Sequence, residues 1–405
     1  MFQPGEIRKQ FPSLQRHHNG QPLIFLDGPG GTQVPQATID SISDYYKKSN
    51  SNTHGEFITT KETDELIHTT RQTVATFLNA ENEKTISFGQ NMTTLNFSLA
   101  RAIGRTLKPG DEILITQLDH EGNRGPWLML RELGIKVREV LLEQDGTLNY
   151  DDLAEKLNEN TRLVAIGMAS NALGTVNDVP LVRKLTYKYN CLLMVDAVAY
   201  APHFTIDVQQ LGCDFLICSA YKFYGPHVGI LYSRPGLLDR MQPDRLRTTD
   251  QFAPYCIETG TLNHAALAGV LAAIKFIATL GGGNNLRETI VDAYKKLGAH
   301  EYKLAVQLYE GIKNISGLKV IGQDFSSVHR APTVSFTLEG KTPAQVCSIL
   351  GSRNICAWDG HFYAARAIEV LGLMEKGGVT RLGLSLYNSA EEVNTVISEI
   401  KALSN

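Results

Sequence analysis

The segment SAYKFYGPHVGILY, residues 219–232, places Lys222 between two tyrosines just after the apolar run Phe215-Leu216-Ile217-Cys218. A second apolar run, CLLMV, ends on Asp196, 26 residues before that lysine. Each residue has an ordinary reading: Lys222 as a solvated loop cation, Asp196 as a helix cap or turn residue. Each also has a chemical one. A lysine drawn into a low-dielectric site near other positive charge gives up its proton easily and becomes a nucleophilic amine. A buried aspartate needs a cation or a proton to meet it, because an uncompensated buried carboxylate is costly. An amine that can form a Schiff base and an acid that can hold a protonated ring nitrogen are the two groups that pyridoxal 5'-phosphate requires of a protein.

Such a cofactor also needs an anion cradle and support for its ring. Gln90-Asn91-Met92-Thr93-Thr94 stands where the strand-like TISFG gives way to a helical pattern. Free N–H groups at a helix start, with two threonine hydroxyls, form an anion site; an ordinary threonine cap would use the same residues. Ser219 can add a hydroxyl from the lysine segment. His120, in LDHEGNR, can lie over a flat ring and move protons at a substrate carbon, and taken alone it reads equally well as a surface histidine. Asn171 follows RLVAIGMAS.

These residues share a context. From about residue 85 to 232, short apolar runs (TISFG, EILIT, RLVAIGMAS, CLLMVDA, DFLICSA) alternate with amphipathic stretches such as MTTLNFSLARAIGRTL, EGNRGPWLMLREL and DVPLVRKLTYKYN. The alternation predicts an α/β domain whose mostly parallel sheet is covered on both faces. In such sheets ligands bind at the carboxyl ends of the strands, and His120, Asn171, Asp196 and Lys222 all fall there. Asp178 or Asn177 can cap the helix that Pro180 helps begin. Beyond Gly281-Gly282-Gly283, long helical periods over 286–313 and scattered strands such as APTVSFTL predict a second, smaller α+β unit. The expected division is 20–264 for the large domain and 265–405, joined by 1–19, for the small one. Gly28-Pro29-Gly30-Gly31 lacks the G-x-G-x-x-G spacing of a dinucleotide loop.

The 405 residues, 43% hydrophobic and 20% charged, suffice for a large core. A net charge of −3, without a basic block interleaved with aromatics, argues against a nucleic-acid partner. The N-terminus lacks the apolar core of a signal peptide, and the longest apolar stretch, around 267–280, is broken by Lys275. A cytoplasmic protein with no membrane partner is expected. The six cysteines show no C-x-x-C metal pairing and read as buried free thiols.

The segments LDGPGGTQVP, MTTLNF, LDHEGN, MASNALGTVND, VDAVAYAPHFTIDVQQLGCDFLICSAYKFYGPHVGILY, ETGTLN and TRLGLSLYNSAEEV resemble, in order and spacing, the class V aminotransferases, most closely their cysteine desulfurase branch. The resemblance runs from about residue 24 to 394. It implies the aspartate aminotransferase-like fold, fold type I, with a mostly parallel seven-stranded sheet in the large domain. By the same resemblance Lys222 holds the pyridoxal aldehyde and later transfers protons, Asp196 pairs with the ring nitrogen and His120 stacks on the ring. Asn171 would bond the ring hydroxyl or the substrate. Met92, Thr93 and Thr94 with the helix amides, Ser219 and Tyr221 would hold the phosphate. Thr261 of E-T-G-T would reach it from the other subunit of a homodimer. Arg381 would grip the substrate carboxylate, as a bidentate guanidinium can, and Gly30 and Gly31 would admit substrate close to the backbone.

The chain departs from the desulfurase pattern at one decisive place. The loop that should carry a persulfide-forming cysteine corresponds to ICAWDGHFYAA, residues 355–365, where Tyr363 occupies the cysteine's position. Cys356 lies seven residues upstream, roughly 23 Å along an extended strand, and Cys256 precedes the E-T-G-T loop; both read more simply as unreactive thiols. Ala199 falls where a glutamine is usual, and Tyr221 where a histidine is. The expected function is a carbon–sulfur lyase acting on cysteine or cystine without a persulfide cysteine. His361 and Tyr363 are candidate acids for the departing sulfur, against a surface histidine and a packed loop aromatic. Amino transfer to a small keto acid is the alternative on the same cofactor, and a non-catalytic binding protein the alternative from another class.

Overall fold

The computed structural model describes residues 3–326 and 329–404. Seven strands form the large sheet: β1 (Ile86–Gly89), β2 (Glu112–Thr116), β3 (Lys136–Val140), β4 (Thr161–Gly167), β5 (Leu192–Asp196), β6 (Phe215–Ser219) and β7 (Gly229–Ser233). Their order is β1-β7-β6-β5-β4-β2-β3. The pairs β3/β2, β2/β4, β4/β5 and β5/β6 are parallel, whereas β7 runs antiparallel to both its neighbours.

Period-two alternation explains why these runs are strands buried on both faces. Leu114, Val164, Ile166, Leu193, Val195, Leu216 and Cys218 enter one apolar core, while Ile113, Ile115, Leu163, Ala165, Met194, Phe215 and Ile217 enter another. Each fully buried Ile or Leu contributes about 1.5–3 kcal/mol of transfer free energy, so the strand ends rest on a stiff platform. Helix α1 (Met92–Gly104) covers the second core through Leu95, Leu99 and Ile103. The first core is closed by α2 (Val179–Tyr187), α3 (His264–Thr279) and the first half of α4 (Leu286–Ile312). Of the two candidate caps, Asp178 does the work, accepting from Leu181 N at 2.9 Å.

Two local features depart from the simple alternation for visible reasons. Strand β3 escapes the apolar pattern because it is an edge strand bearing Lys136, Arg138 and Glu139. The stretch EGNRGPWLMLREL is not one helix but two 3₁₀ turns around a four-residue helix, Gly125–Leu128, with Pro126 at its start.

A second, antiparallel sheet comprises β8 (Leu318–Ile321), β9 (Thr333–Leu338), β10 (Trp358–Gly360) and β11 (Val379–Gly383), in the order β8-β9-β11-β10. Its core includes Leu304, Leu308 and Ile312 of α4, and also Ile24 and Leu26 from far upstream. Ile24–Phe25 pairs in parallel with Ile355–Cys356. Ile7, Phe11 and Leu14, by contrast, join the large core, as do Leu267, Val270, Ile274 and Ile277 of α3. The N-terminal segment also touches the C-terminal part of the chain: Arg8 pairs with Glu392 at 2.8 Å and Asn354 Nδ2 donates to His18 O at 2.7 Å. Among the described residues no helix is long and apolar enough to cross a membrane.

Candidate active site

Asp196 is the last residue of β5 and Lys222 sits in a 3₁₀ turn immediately after β6. Because β5 and β6 are parallel neighbours, with Asp196 opposite Ile217, the two residues emerge at the same sheet edge. Lys222 is buried, only 8% exposed, and its ammonium donates to the Pro29 carbonyl. Burial lowers its pKa to about 7, Arg381 adds to the shift, and Asp196 and Asp27 oppose it. The amine stands 4.9 Å from the centre of the Tyr221 ring.

Three carboxyls belong to the site, two of them acting on this lysine, and burial is the main cause of each upward shift. Asp196 accepts from Val198 N at 2.9 Å and is pushed to about 7, with Asp119 reinforcing the effect. Asp119 accepts from Gly167 N at 2.8 Å and from Asn123 Nδ2 at 3.0 Å, and is raised to about 6. Asp27 is raised to about 6 against the pull of Arg381 and Lys222, and its buried Oδ1 has no hydrogen-bond partner among the described residues. A cationic ring nitrogen beside Asp196 would recover the cost of holding that carboxylate ionised.

His120 Nδ1 accepts from Gly122 N at 2.9 Å, which places the hydrogen of the neutral ring on Nε2. Burial lowers its pKa to about 4, helped by Lys222 and Arg381. Asn171 donates from Nδ2 to Phe362 O at 2.7 Å, and its buried Oδ1 has no partner among the described residues. That orphaned acceptor fits a hydroxyl or ammonium donor from a bound molecule.

At the start of α1, Asn91 and Thr94 form a reciprocal capping box, and Met92 N donates to Ser219 Oγ at 3.0 Å. The Thr94 amide and hydroxyl are therefore committed to the cap, leaving Thr93 as the free end of the cradle. A cavity of about 640 Å³ gathers Gly30, Met92, Thr93, Thr94, His120, Asn171, Asp196, Ser219, Tyr221 and Lys222. It is lined also by Asp119, Ala199 and His227.

The other candidates lie around its rim. Arg381, on β11, is buried and donates to Asn171 O at 2.9 Å while the Phe362 ring stacks 3.9 Å from its guanidinium carbon. Burial lowers its pKa to about 9, and among the described residues it forms no ion pair, so an anion can take that place. Gly31 packs on the Tyr221 ring, and a Cβ on Gly30 would stand 2.9 Å from Trp358 Nε1. His361 and Tyr363 are exposed; the Tyr363 ring centre is 5.5 Å from that of His120. Thr261 is not in this cavity but in a neighbouring one, of about 770 Å³, that shares Asn91, Thr94, Phe97 and His227. Its loop is held by a buried pair in which Glu258 accepts from both Arg71 Nη1 and Nη2.

Neither spare thiol is activated. Cys356 is half-buried on the strand paired with Ile24–Phe25 and its pKa rises to about 11, chiefly through burial. Cys256 is buried and shifted upward for the same reason. The residues that sequence reasoning missed are Asp27, Asp119 and Phe362. Asp119 was adjacent to a chosen histidine and could have been found; Asp27 and Phe362 reach the site only through tertiary contact.

The class V aminotransferase family model matches residues 24–396. Among curated relatives, a probable cysteine desulfurase of Halalkalibacterium halodurans is 32% identical over 96% of this chain and 95% of its own. The cysteine desulfurase of Serratia proteamaculans is 32% identical over 98% and 97%. That of Synechococcus elongatus is 31% identical over 99% of this chain, which spans 64% of that longer protein. Among solved structures, an apo cysteine desulfurase from Thermococcus onnurineus NA1 superposes with a TM-score of 0.89 at 26% identity, covering 100% of this chain and 98% of its own.

Proposed function

Since the chain belongs to the class V aminotransferase family and is a pyridoxal phosphate-dependent enzyme, we propose that it cleaves the carbon–sulfur bond of cysteine or cystine without a persulfide-forming cysteine. When bound, the cofactor supplies an electron sink for the pair released at the substrate α-carbon. The remaining work falls to the chain's own residues. Lys222 Nζ, which burial makes deprotonatable near neutral pH, would hold the cofactor aldehyde and then take the α-proton. Asp196 would keep a proton at the ring nitrogen, His120 would cover the ring, and the unpartnered Asn171 Oδ1 would accept from the ring hydroxyl or the substrate amine. Ser219, Tyr221, Met92, Thr93 and Thr94 form the phosphate end. Arg381 holds the substrate carboxylate, with Gly30 and Gly31 leaving room above it.

The observation that carries the lyase reading is the loop after β10. Position 363 is a tyrosine, and the loop is tied down at both Phe362 O, by Asn171, and Tyr363 O, which accepts from Glu121 N at 2.6 Å. What supports a route without a protein thiol is that burial raises the pKa of both Cys356 and Cys256, which keeps them in the weakly nucleophilic thiol form. The β-sulfur then leaves as sulfide, or as a substrate persulfide from cystine, and water converts the remainder to pyruvate and ammonia. Tyr363 Oη, whose ring lies 5.5 Å from that of His120, and the neighbouring His361 ring are the candidate proton donors to the leaving group. Thr261 extends toward the phosphate of a second copy in a homodimer, and a monomer in light scattering at working concentrations would contradict that part.

Single Cys356→Ala and Cys256→Ala variants test the thiol-free route. Sulfide release from cysteine that stays within twofold of the unaltered protein is expected. Its loss in a variant with unchanged melting temperature would overturn it.

A further inference from the structure

We propose that His227 is a cofactor-binding residue that supplies the positive charge facing the phosphate of the bound pyridoxal phosphate; this rests on the cofactor assignment and not on the lyase reading. His227 lies in the hairpin between β6 and β7, and its imidazole is stacked on Tyr221, with ring centres 4.6 Å apart and planes within 6°. It lines the main cavity together with Met92 and Thr93 at the start of α1, and it also lines the adjoining cavity that holds Thr261.

The argument is one of elimination around that wall. A phosphate carries up to two negative charges, and helix amides with hydroxyls offer only partial ones. Of the side chains lining the main cavity, only His120, Lys222 and His227 can become cations. His120 is held neutral, with Nδ1 already accepting from Gly122 N, and Lys222 is committed to the aldehyde. Among the described residues the ring nitrogens of His227 have no hydrogen-bond partner, while the stack fixes the ring plane without using them. The backbone hairpin that presents it is closed by Ala220 N donating to Val228 O at 2.9 Å.

The test compares two ligands that differ only in the phosphate. Equilibrium binding of pyridoxal 5'-phosphate and of pyridoxal is measured for the full chain and for His227→Ala and His227→Gln. A phosphate-holding histidine predicts that His227→Ala weakens pyridoxal 5'-phosphate about tenfold, that His227→Gln weakens it less, and that pyridoxal binding is unchanged. Unaltered pyridoxal 5'-phosphate affinity would overturn the proposal. So would equal weakening of both ligands, which would mark His227 as packing support for Tyr221. Failure of the unaltered chain to take up pyridoxal 5'-phosphate would instead strike at the cofactor assignment itself.

Discussion

Asn171 Nδ2 donates a 2.7 Å hydrogen bond to Phe362 O, joining a residue that follows β4 of the large sheet to the loop that follows β10 of the small one. Phe362 and Tyr363 both have positive φ, 53° and 59°, and for bulky residues that conformation persists only when its surroundings hold it. The same loop lays Phe362 against Arg381. The position of the Arg381 guanidinium and the shape of the loop are therefore coupled through Asn171.

Replacing Asn171 with Ala should release that loop. Hydrogen exchange at residues 361–364 should quicken, and KM for cysteine should rise by roughly tenfold, the worth of about one hydrogen bond. Unchanged exchange would show that the turn holds itself.

Lys222 should react as an amine from near-neutral pH. The reactive form is the deprotonated one, and a folded-state pKa of about 7 means that the rate of cofactor uptake rises through pH 7 and levels above about 8.5. Arg381→Gln removes a charge that depresses this pKa, so the midpoint should move upward. Stopped-flow uptake across pH 6–10 reads both effects. Lys222→Ala should abolish the borohydride-fixed adduct at this site.

Asp196→Asn should leave cofactor affinity largely intact and lower kcat on the order of a hundredfold, because an amide cannot hold a full positive charge at the ring nitrogen. A kcat within threefold of the unaltered enzyme would remove Asp196 from the mechanism.

His120 should remain neutral down to about pH 5. Its pKa falls from the usual 6.5 to about 4 in the folded chain, so between those values the unfolded chain binds more protons. The stability it contributes is complete above pH 6.5 and is lost as pH falls through 4. A ring NMR titration centred near 6.5 would contradict this.

Gly383→Ala should damage the site from beneath. A Cβ there would lie 2.0 Å from Pro29 Cδ, and Pro29 is the residue whose carbonyl accepts from Lys222. Overpacking of this kind costs about 1–3 kcal/mol, and a lower melting temperature should accompany weaker cofactor retention.

Much of this was legible because the large sheet writes itself in apolar runs whose ends are chemically marked. Asp196, Lys222, His120 and Asn171 each terminate or follow such a run. Strand β3 was invisible because an edge strand can carry charges that pair beside the sheet, as Arg138 does with Glu112 and Glu139 with Arg124. Asp27 and Phe362 were invisible for a different reason: each arrives from a distant segment, through the pairing of Ile24–Phe25 with Ile355–Cys356 and through the turn after β10. The capping box that Thr94 closes with Asn91 was open in the sequence, since a threonine at a helix start reads alike as a cap and as part of an anion site.

The most direct measurement is identification of the products when the cofactor-loaded protein is incubated with L-cysteine and, separately, with L-cystine. Pyruvate with sulfide or a persulfide is the predicted result. Alanine in place of pyruvate, in the absence of added thiol, would contradict it, because alanine forms when a thiol rather than elimination carries the sulfur away.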